Sequence, residues 1–342
     1  MSANHGQDKA RAIEIIHAMK EAGADAVKIQ TYTPDTITIN CSNKYFTDCL
    51  KGTLWEGKTL YELYGDAFTP WEWQPELQET AQSLGMDFFS SPFDVTAVDF
   101  LEKMDVPAYK VASFEIVHFP LIRRIAATGK PIILSTGMAT EKEITEAINA
   151  AKGSRGIALL KCTSAYPAKI EDANLRTIPA MAEKFSVPVG LSDHTPGSAV
   201  PVTAVTVGAC IIEKHFVLDR KRDKGPDSKF SMEPHEFKAM VDAVRAAEKD
   251  PTSAPIDEKA LGSVHFGPTE GDKKSLAFRP SIFVTKDMQK GDTFTPENTR
   301  IIRPGYGEPP GDWDQVMGRR TALPIERGTP VTWELLKTQT TH

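Results

Sequence analysis

One pattern recurs along the first two thirds of the chain and narrows its possible folds more than any other feature. A short apolar segment ends in polar residues, and a stretch with helical spacing of apolar residues follows it. Several of these segments are nearly uninterrupted, as expected for parallel strands that are buried on both faces. The seven predicted strands lie at residues 26–30, 87–91, 109–113, 131–135, 157–162, 187–192 and 210–215.

Alternating strands and helices of this kind predict an α/β fold, specifically a (β/α)8 TIM barrel. The helices carry their own boundary signals. Thr140 and Glu143 predict a capping box, and Gly23 predicts the end of the first helix. Residues 2–5 are typical of the exit of an eighth strand whose apolar body is missing. We therefore expect a barrel whose first strand is truncated.

The barrel pattern ends near Lys249, and the chain changes character after it. Residues 251–275 contain Gly and Pro without any period, which predicts a linker. Short strands near 281–284 and 299–303, with a turn at 290–292, predict a small β-rich domain. The expected organisation is a barrel domain at 1–250, a linker at 251–275 and a small domain at 276–342.

Composition argues against several classes of partner and compartment. Asp and Glu number 46 against 40 Lys and Arg, a formal net charge of −6, so no overall positive field favours nucleic acid or an anionic membrane. No apolar run approaches the roughly 18 residues of a spanning helix, and no signal-peptide pattern is visible. The four cysteines form no CxxC pair, which favours reduced thiols in a cytoplasmic protein.

Active sites of barrel enzymes lie at the carboxyl ends of the strands, and here those ends collect lysines and hydroxyl groups. Lys28 and Lys110 belong to two predicted strands. A lysine inside a barrel needs an anionic partner, because an isolated buried ammonium is unfavourable; an internal ion pair and a bound ligand both satisfy this need. Such groups together suit a phosphorylated or carboxylated small molecule. A Schiff base on Lys110 or Lys161 is an alternative.

His194 and His215 end neighbouring predicted strands. Each is either a hydrogen-bonding residue or a metal ligand. Because no Cys lies beside them, a closed zinc site is disfavoured, whereas an open site for Mn²⁺, Mg²⁺ or Co²⁺ suits two imidazoles. Glu115 is either a proton-transfer carboxylate or an acid at a helix start.

A long excursion follows the strand at 26–30 and is rich in aromatic residues. An excursion of this length is uncommon unless it is functional, and packing against the flank of the barrel is the alternative. The aromatic residues are Trp55, Tyr61, Tyr64, Phe68, Trp71 and Trp73.

With these residues in place, the chain resembles the sialic acid synthase family. Its members condense phosphoenolpyruvate (PEP) with an amino sugar on a barrel that is followed by an antifreeze-like (SAF) domain. The resemblance covers nearly the whole chain, and the motifs are specific as a set. They are SANH at 2–5, VKIQ at 27–30, SPFD at 91–94, YKVAS at 109–113, LSTGM at 134–138, LSDHT at 191–195, IEKHF at 212–216, GPD at 225–227 and RPG at 303–305.

Within the family, segments 30–38, 52–64 and 69–73 are similar to the pseudaminic acid synthase branch. That resemblance implies condensation of PEP with 2,4-diacetamido-2,4,6-trideoxy-L-altrose and water. The products are phosphate and pseudaminic acid, a sugar acid of bacterial surfaces and flagella. Legionaminic and N-acetylneuraminic acid synthases share the barrel motifs but resemble these segments less, and they are the alternative.

The resemblance also implies roles for individual residues. The catalytic set is Glu115, His194 and His215, and the two histidines hold a divalent ion, Mn²⁺, Mg²⁺ or Co²⁺. Ser164 stands where sialic acid synthases carry an asparagine. The implied PEP-binding residues are Lys28, Lys110, Ser113, Ser135, Ser164 and Ser192, and the implied sugar-binding residues are Gln30, Tyr166, Asp227 and Arg303.

Two further expectations come from the family pattern. The SAF domain of the family reaches across a dimer and lends an arginine to the partner's sugar site, which implies a domain-swapped homodimer with Arg303 in that role. The turn at Pro304 and Gly305 predicts that Arg303 is solvent-exposed at a loop rim. Family members also carry an apolar strand and a glutamate just before the residues matching Met1 and Ser2. Both are absent here, so a non-catalytic sugar-binding protein is a further alternative.

Overall fold

The computed structural model describes residues 1–53, 55–223 and 225–336. Leu54, which belongs to the branch-specific segment 52–64, and residues 337–342 of the predicted small domain lie outside these ranges. None of the helices described is long and apolar enough to cross a membrane.

A parallel sheet forms the centre of the first domain, and its strands follow one another in chain order. The end strands face each other across the interior, because Lys28 Nζ on strand Ala26–Thr31 lies 2.7 Å from Glu213 Oε1 on strand Ile212–Lys214. The sheet is therefore curled, and the seven predicted strands are confirmed. They are β1 Ala26–Thr31, β2 Asp87–Pro92, β3 Tyr109–Val111, β4 Ile132–Ser135, β5 Ile157–Cys162, β6 Val189–Asp193 and β7 Ile212–Lys214.

The first residues form a short 3-10 helix, Ser2–His5, that is buried. The Met1 amino group donates to the Lys28 carbonyl at 3.0 Å, and Asn4 Nδ2 donates to the Phe216 carbonyl at 2.8 Å. These two bonds attach the segment to β1 and to the residue that follows β7. As the truncated pattern predicts, no eighth strand pairs with either edge within residues 1–53, 55–223 and 225–336.

Helices connect the consecutive strands, as the sequence pattern predicts. Thr140 caps α8, and the predicted capping box with Glu143 is confirmed, since each side chain bonds the other residue's backbone N–H. The α-helices are α1 Lys9–Glu21, α2 Pro34–Ile37, α3 Lys44–Thr47, α4 Leu60–Ala67, α5 Gln74–Ser83, α6 Val95–Lys103, α7 Phe119–Ala126, α8 Glu141–Ala150, α9 Thr177–Phe185, α10 Ala199–Thr206, α11 Pro234–Lys249, α12 Glu258–Leu261 and α13 Trp313–Val316.

Short 3-10 helices mark several of the turns. After Ser2–His5 they are Asp48–Leu50, Trp71–Trp73, Glu115–Val117, Ile170–Asp172, Ser228–Phe230, Lys273–Phe278, Pro310–Asp312 and Trp333–Leu335.

Side chains along each strand alternate between an apolar face of the sheet and a polar face. On β3, Tyr109 and Val111 belong to the apolar core between sheet and helices. Lys110 lies between them and contacts Ser135 and Glu213 on other strands. Because side chains alternate across a strand, one face of the sheet packs against α7 and its neighbours while the other collects polar groups.

The excursion between β1 and β2 holds α2 to α5 and divides its aromatic residues between two surfaces. Trp71 lies against Phe100, with ring centroids 4.9 Å apart, and so packs on the barrel flank. Tyr64 instead belongs to a core cluster shared with Phe283 and Ile302 of the small domain.

The small domain is built on an antiparallel pair, β8 Ser281–Val284 and β9 Thr299–Ile302. It docks on the excursion of the same chain through backbone groups. The Arg303 N–H donates to the Ile37 carbonyl at 2.9 Å, and Thr38 Oγ1 donates to the Arg303 carbonyl at 2.9 Å. The domain thus reaches the mouth of its own barrel in the single chain described, and exchange across a dimer stays a prediction.

The segment predicted as a linker is attached to the barrel along its length. The Leu175 N–H donates to the Ala260 carbonyl at 2.9 Å, and the Gly267 N–H donates to the Ala139 carbonyl at 2.8 Å. The segment then enters the 3-10 helix Lys273–Phe278. It therefore crosses the carboxyl-end face of the sheet before it reaches the small domain.

Candidate active site

A cavity of about 880 Å³ opens at the carboxyl ends of the strands. Strand ends, the excursion, the linker segment and the small domain all contribute to its wall. The predicted site residues that line it are Lys28, Gln30, Lys110, Ser113, Ser135, Tyr166, Ser192, His194, His215, Asp227 and Arg303. The other two, Glu115 and Ser164, are buried directly behind Arg303 and Ser113.

The closed end of the cavity holds two ammonium groups around one carboxylate. Glu213 Oε1 lies 2.7 Å from Lys28 Nζ, and Glu213 Oε2 lies 3.7 Å from Lys110 Nζ. Lys110 also donates to Ser135 Oγ at 2.7 Å, and Ser192 Oγ donates to Glu213 Oε1 at 2.9 Å. The three charges sum to +1, so this end favours an anionic ligand.

Burial and mutual repulsion tune these charges. Burial, with a further contribution from Lys28, lowers the pKa of Lys110 to about 8, although Glu213 opposes the shift. Burial acts to raise the pKa of Glu213, but Lys110 and Lys28 outweigh it and hold that pKa far below its usual range. Glu213 is therefore ionised at neutral pH, and Lys110 titrates at a pH just above neutral.

A second polar group lies beside the lysines, on the loops after β3 and β5. Ser164 Oγ donates to Ser113 Oγ at 2.9 Å, and Cys162 Sγ lies 3.8 Å from Ser164 Oγ. Ser113 faces the cavity, whereas Ser164 is fully buried. Ser164 thus reaches the cavity through Ser113 rather than directly.

His194 and His215 lie side by side in the cavity wall, with ring centroids 5.4 Å apart. His194 Nδ1 lies 2.8 Å from the Thr163 carbonyl, so Nδ1 carries the proton and Nε2 presents a lone pair. Among the described residues, no group is a hydrogen-bond partner of the buried His215 Nδ1, and burial lowers the pKa of His215 well below its usual value. Burial also acts to lower the pKa of His194, but Cys162 and the Thr163 carbonyl outweigh it and raise that pKa. His215 therefore offers a neutral ring to a cation, and His194 offers Nε2 once its ring is deprotonated.

No third protein ligand lies beside the pair in the described part of the chain, where no cluster of three or more His, Cys, Asp or Glu side chains is arranged to hold a metal ion. Two imidazoles, one with an unpartnered nitrogen, fit an open site whose remaining ligands are water or substrate oxygens.

The rim of the cavity is organised around Arg303. Its Nη2 donates to Glu115 Oε1 at 2.6 Å, and its Nη1 donates to Tyr64 Oη at 3.1 Å. The guanidinium carbon lies 4.7 Å from the Phe114 ring centroid. Arg303 is only 7% exposed, so the expectation of an exposed rim arginine is wrong: Glu115, an acid on a distant loop, draws it inward.

Glu115 carries an unused acceptor at this point. Its Oε1 receives both bonds from Arg303, while its buried Oε2 has no partner among the residues that the structure describes. Burial raises the pKa of Glu115 even though Arg303 opposes the shift. A carboxyl group with a raised pKa and an unused acceptor has the properties of a proton-transfer group or a ligand acceptor.

The predicted sugar-binding residues lie between the closed end and the rim. Ser2 Oγ donates to Asp227 Oδ2 and lies 3.1 Å from the side-chain amide of Gln30. The Tyr166 ring lies 4.4 Å from the His194 ring. These groups surround one volume with the histidines.

Comparison with known proteins settles the family. The NeuB family model matches residues 15–254, more than half of the chain, and the SAF domain model matches residues 279–337. The chain belongs to the NeuB family.

Relatives of this NeuB-family chain resemble it over almost their full length. The pseudaminic acid synthase of Helicobacter pylori is 44% identical over 97% of this chain and 94% of its own. That of Campylobacter jejuni (serotype O:23/36) is 46% identical over 96% and 92%. The N,N'-diacetyllegionaminic acid synthase of Legionella pneumophila is 37% identical over 97% and 91%.

Solved structures of similar proteins share the architecture. The Bacillus subtilis spore coat polysaccharide biosynthesis protein SpsE superposes with a TM-score of 0.82 at 31% identity, covering 98% of this chain and 93% of its own. The N-acetylneuraminic acid synthetase of Leptospira borgpetersenii, in complex with citrate, gives 0.65 at 30% identity over 80% and 87%.

Two parts of this NeuB-family site were not predicted. Glu213 lies in the predicted strand at 210–215, two residues before His215, and side chains two apart on a strand share one face, so this spacing is the signal that could have found it. Tyr64 was noticed only as one aromatic residue of the excursion. Its contact with Arg303 spans 239 residues, and no local signal points to it.

Lys161, the second lysine considered for a Schiff base, lies elsewhere. It is buried, and its Nζ donates to the Cys162 carbonyl at 3.2 Å. The cavity wall includes Cys162 but not Lys161, because neighbours on a strand face opposite sides. Lys110 is therefore the only one of the two that a cavity ligand can touch.

Proposed function

We propose that this chain is a pseudaminic acid synthase, which condenses PEP with 2,4-diacetamido-2,4,6-trideoxy-L-altrose and releases phosphate. The observation that carries the proposal is the cavity itself: two ammonium groups at its closed end, a histidine pair in its wall and a buried arginine at its rim. The names of the relatives at 44% and 46% identity support the same substrates.

The closed end suits PEP, which carries a phosphate and a carboxylate. Lys28 and Lys110 neutralise these anions, and the hydroxyls of Ser113, Ser135 and Ser192 donate to their oxygens. Glu213 already engages both lysines, so it orients the two ammonium groups before PEP arrives. The citrate found in a NeuB-family relative, itself a polycarboxylate, is consistent with an anion site.

His194 and His215 would hold the divalent cation, Mn²⁺, Mg²⁺ or Co²⁺. Such an ion acts as a Lewis acid towards a carbonyl oxygen. The Thr163 carbonyl fixes the His194 tautomer and thus directs Nε2 towards the cavity.

The sugar binds above PEP in its open-chain form. Gln30 and Asp227 receive its hydroxyl groups, and Arg303 donates to an acetamido oxygen while Glu115 holds the guanidinium in place. The PEP methylene carbon then forms a bond to the aldehyde carbon. Water adds to the former enol carbon, and the tetrahedral centre expels phosphate together with the bridging oxygen.

The reaction takes place in the cytoplasm under this proposal. All four cysteines are free thiols, as a reducing compartment requires.

Phosphate release tests the proposal directly. The purified chain is given PEP, a divalent cation and, separately, the altrose derivative, the legionaminic acid precursor and N-acetylmannosamine. We expect phosphate only with PEP and sugar together, and fastest with the altrose derivative. A preference for another sugar would assign the chain to that branch. Sugar binding without phosphate release would make it a sugar-binding protein.

Two controls separate the remaining chemistry. PEP labelled with ¹⁸O at its bridging oxygen should yield labelled phosphate, because the C–O bond breaks. Borohydride should trap no covalent adduct, whereas a Schiff-base aldolase would be trapped on Lys110.

A further inference from the structure

The segment between the two domains forms part of the cavity wall. After Gly267 bonds to the Ala139 carbonyl, the chain passes over the loop that follows β5. Gly271, Lys274 and Phe278 line the cavity. A segment that only tethered the two domains would not need to form part of the cavity wall.

Asp272 is the most buried charged residue of this segment, at 1% exposure. Its Oδ1 accepts from the Ser164 N–H at 2.6 Å. Its Oδ2 accepts from the N–H and the Oγ1 of Thr269, both at 2.8 Å. Thr269 therefore fixes the carboxylate, and the carboxylate fixes the backbone of Ser164.

The loop held by Asp272 carries site residues. Ser164 Oγ donates to Ser113 Oγ, and Ala165 and Tyr166 line the cavity. The contact is close: a Cβ on Gly271 would lie 3.4 Å from the Ala165 Cβ and 3.0 Å from Asp172 Oδ2. Movement of the segment at Asp272 would therefore shift the loop.

The same segment also reaches the rim. The Phe278 ring lies 6.2 Å from the Phe114 ring, and Phe114 stacks on Arg303. One short stretch of chain thus contacts the Ser164 loop directly and, through Phe114, lies next to the arginine of the small domain.

We propose that Asp272 is a positioning residue, which holds the Ser164 loop in its PEP-binding arrangement and so makes PEP affinity depend on the segment that joins the domains. The proposal rests on the proposed function, because it takes Ser113 and Ser164 to be the PEP-side residues.

Asp272→Ala tests the proposal in the full-length protein. The substitution leaves the Ser164 N–H buried without an acceptor, and the loop moves to satisfy it. We expect the Kd of PEP, measured by calorimetry with PEP alone, to rise about tenfold, and the KM for PEP to rise with it. Glu270→Ala is the matched control, since this carboxylate is two residues away, 86% exposed and paired with Lys273; it should leave the Kd unchanged.

A purely structural role gives a different result. It lowers the melting temperature and the calorimetric stoichiometry but leaves the Kd of PEP for the folded fraction unchanged, and that result would overturn the proposal. If Asp272→Ala does not fold, Thr269→Val decides, because it removes one donor to Oδ2 and keeps the carboxylate. A two- to fourfold rise in Kd supports the proposal, and an unchanged Kd refutes it.

The proposed function fails separately. A wild-type chain that binds PEP but releases no phosphate with any sugar contradicts the synthase, while the Kd comparison still tests Asp272. A wild-type chain that does not bind PEP refutes both.

Discussion

The closed end and the rim of the cavity are built in opposite ways. At the closed end, Lys28, Lys110 and Glu213 all lie on strands of one parallel sheet. At the rim, Arg303 comes from the small domain, Tyr64 from the excursion and Glu115 from the loop after β3. The first arrangement is held by strand register, and the second by the docking of separate segments.

Under the proposed function, this difference separates the two substrates. An anion held by strand residues depends on the sheet, whose geometry is rigid and shared across the fold. A sugar held at the rim depends on loops, which vary and adapt. We therefore expect the closed end to set the chemistry that the family has in common, and the rim to set which sugar is accepted.

The histidine pair lies between the two ends and should show the largest effect. We expect His215→Ala, and equally His194→Ala, to lower kcat roughly a thousandfold, because Lewis-acid assistance contributes several kcal/mol. Circular dichroism should show an intact fold, and the bound metal measured by atomic spectroscopy should fall. EDTA should abolish wild-type activity, and Mn²⁺, Co²⁺ or Mg²⁺ should restore it.

His235→Ala is the control for this experiment, since its side chain is 77% exposed and lies outside the cavity wall. Full activity of His215→Ala in metal-free buffer would remove the ion from the mechanism.

Lys110→Met disrupts the closed end of the cavity and leaves the rim unchanged. The change removes one of the two ammonium groups, and Glu213 keeps Lys28 and Ser192 as partners, so no buried charge is left unpaired. We expect the KM for PEP to rise about a hundredfold or more, since loss of a buried charged partner costs roughly 2–5 kcal/mol. The dissociation constant of the sugar, measured without PEP, should change less than twofold.

Lys161→Met is the matched control, because it removes an equally buried lysine from the next strand but one, on the side away from the cavity. An equal loss of PEP binding in both variants would mean that burial of a charge, and not contact with PEP, explains the effect.

The same contrast explains how much of the molecule could be predicted from the sequence. The strands and the residues at their ends follow from local alternation, so Lys28, Lys110 and the two histidines could be placed at one mouth without a structure. The Glu115–Arg303 pair joins residues 188 positions apart. Its burial could not be predicted, because it depends on how the small domain docks.

Asp272 shows the same limit in a segment that the sequence predicts as a linker. Gly and Pro without a period indicate irregular backbone but do not distinguish a tether from a buried wall. Only the bonds to Ser164 and Thr269 reveal the difference.

Arg303→Ala breaks the rim. Loss of a charged donor to a ligand costs about 1.5–3 kcal/mol, so the KM for the sugar should rise about 10- to 150-fold, while the KM for PEP stays within twofold. The melting temperature should fall as well, because Glu115 is left buried without its partner. Arg303→Ala combined with Glu115→Gln should recover the melting temperature but not the sugar affinity. A wild-type sugar KM in the single variant would restrict the small domain to a structural role.

Mixed dimers test whether Arg303 acts at the barrel of its own chain or at the barrel of its partner. If domains are exchanged, mixing Arg303→Ala chains with His194→Ala chains creates sites with an intact barrel and an intact arginine, and activity returns. If each small domain serves its own chain, mixing restores nothing. Light scattering at micromolar concentration gives the oligomeric state beside this measurement.

The smallest predicted effect is the pH dependence of the KM for PEP, which binds at the closed end. Lys110 has a pKa of about 8, so it is charged below that value and neutral above it. PEP binding needs the charged form of Lys110, and the phosphate of PEP, with a second pKa of about 6, is mostly ionised between pH 7 and pH 9. The KM for PEP should therefore be about tenfold higher at pH 9 than at pH 7.

Lys110→Arg isolates the cause of that rise. A guanidinium stays charged across the range, so the variant should show a higher KM for PEP at every pH but no increase between pH 7 and pH 9. The sugar KM at saturating PEP should not share the wild-type rise, because the Arg303–Glu115 pair at the rim does not involve Lys110. If the KM for PEP still rises between pH 7 and pH 9 in Lys110→Arg, another group titrates, and the charges at the closed end differ from those described. If the KM for the sugar rises together with the KM for PEP, the two ends of the cavity are coupled and do not act separately.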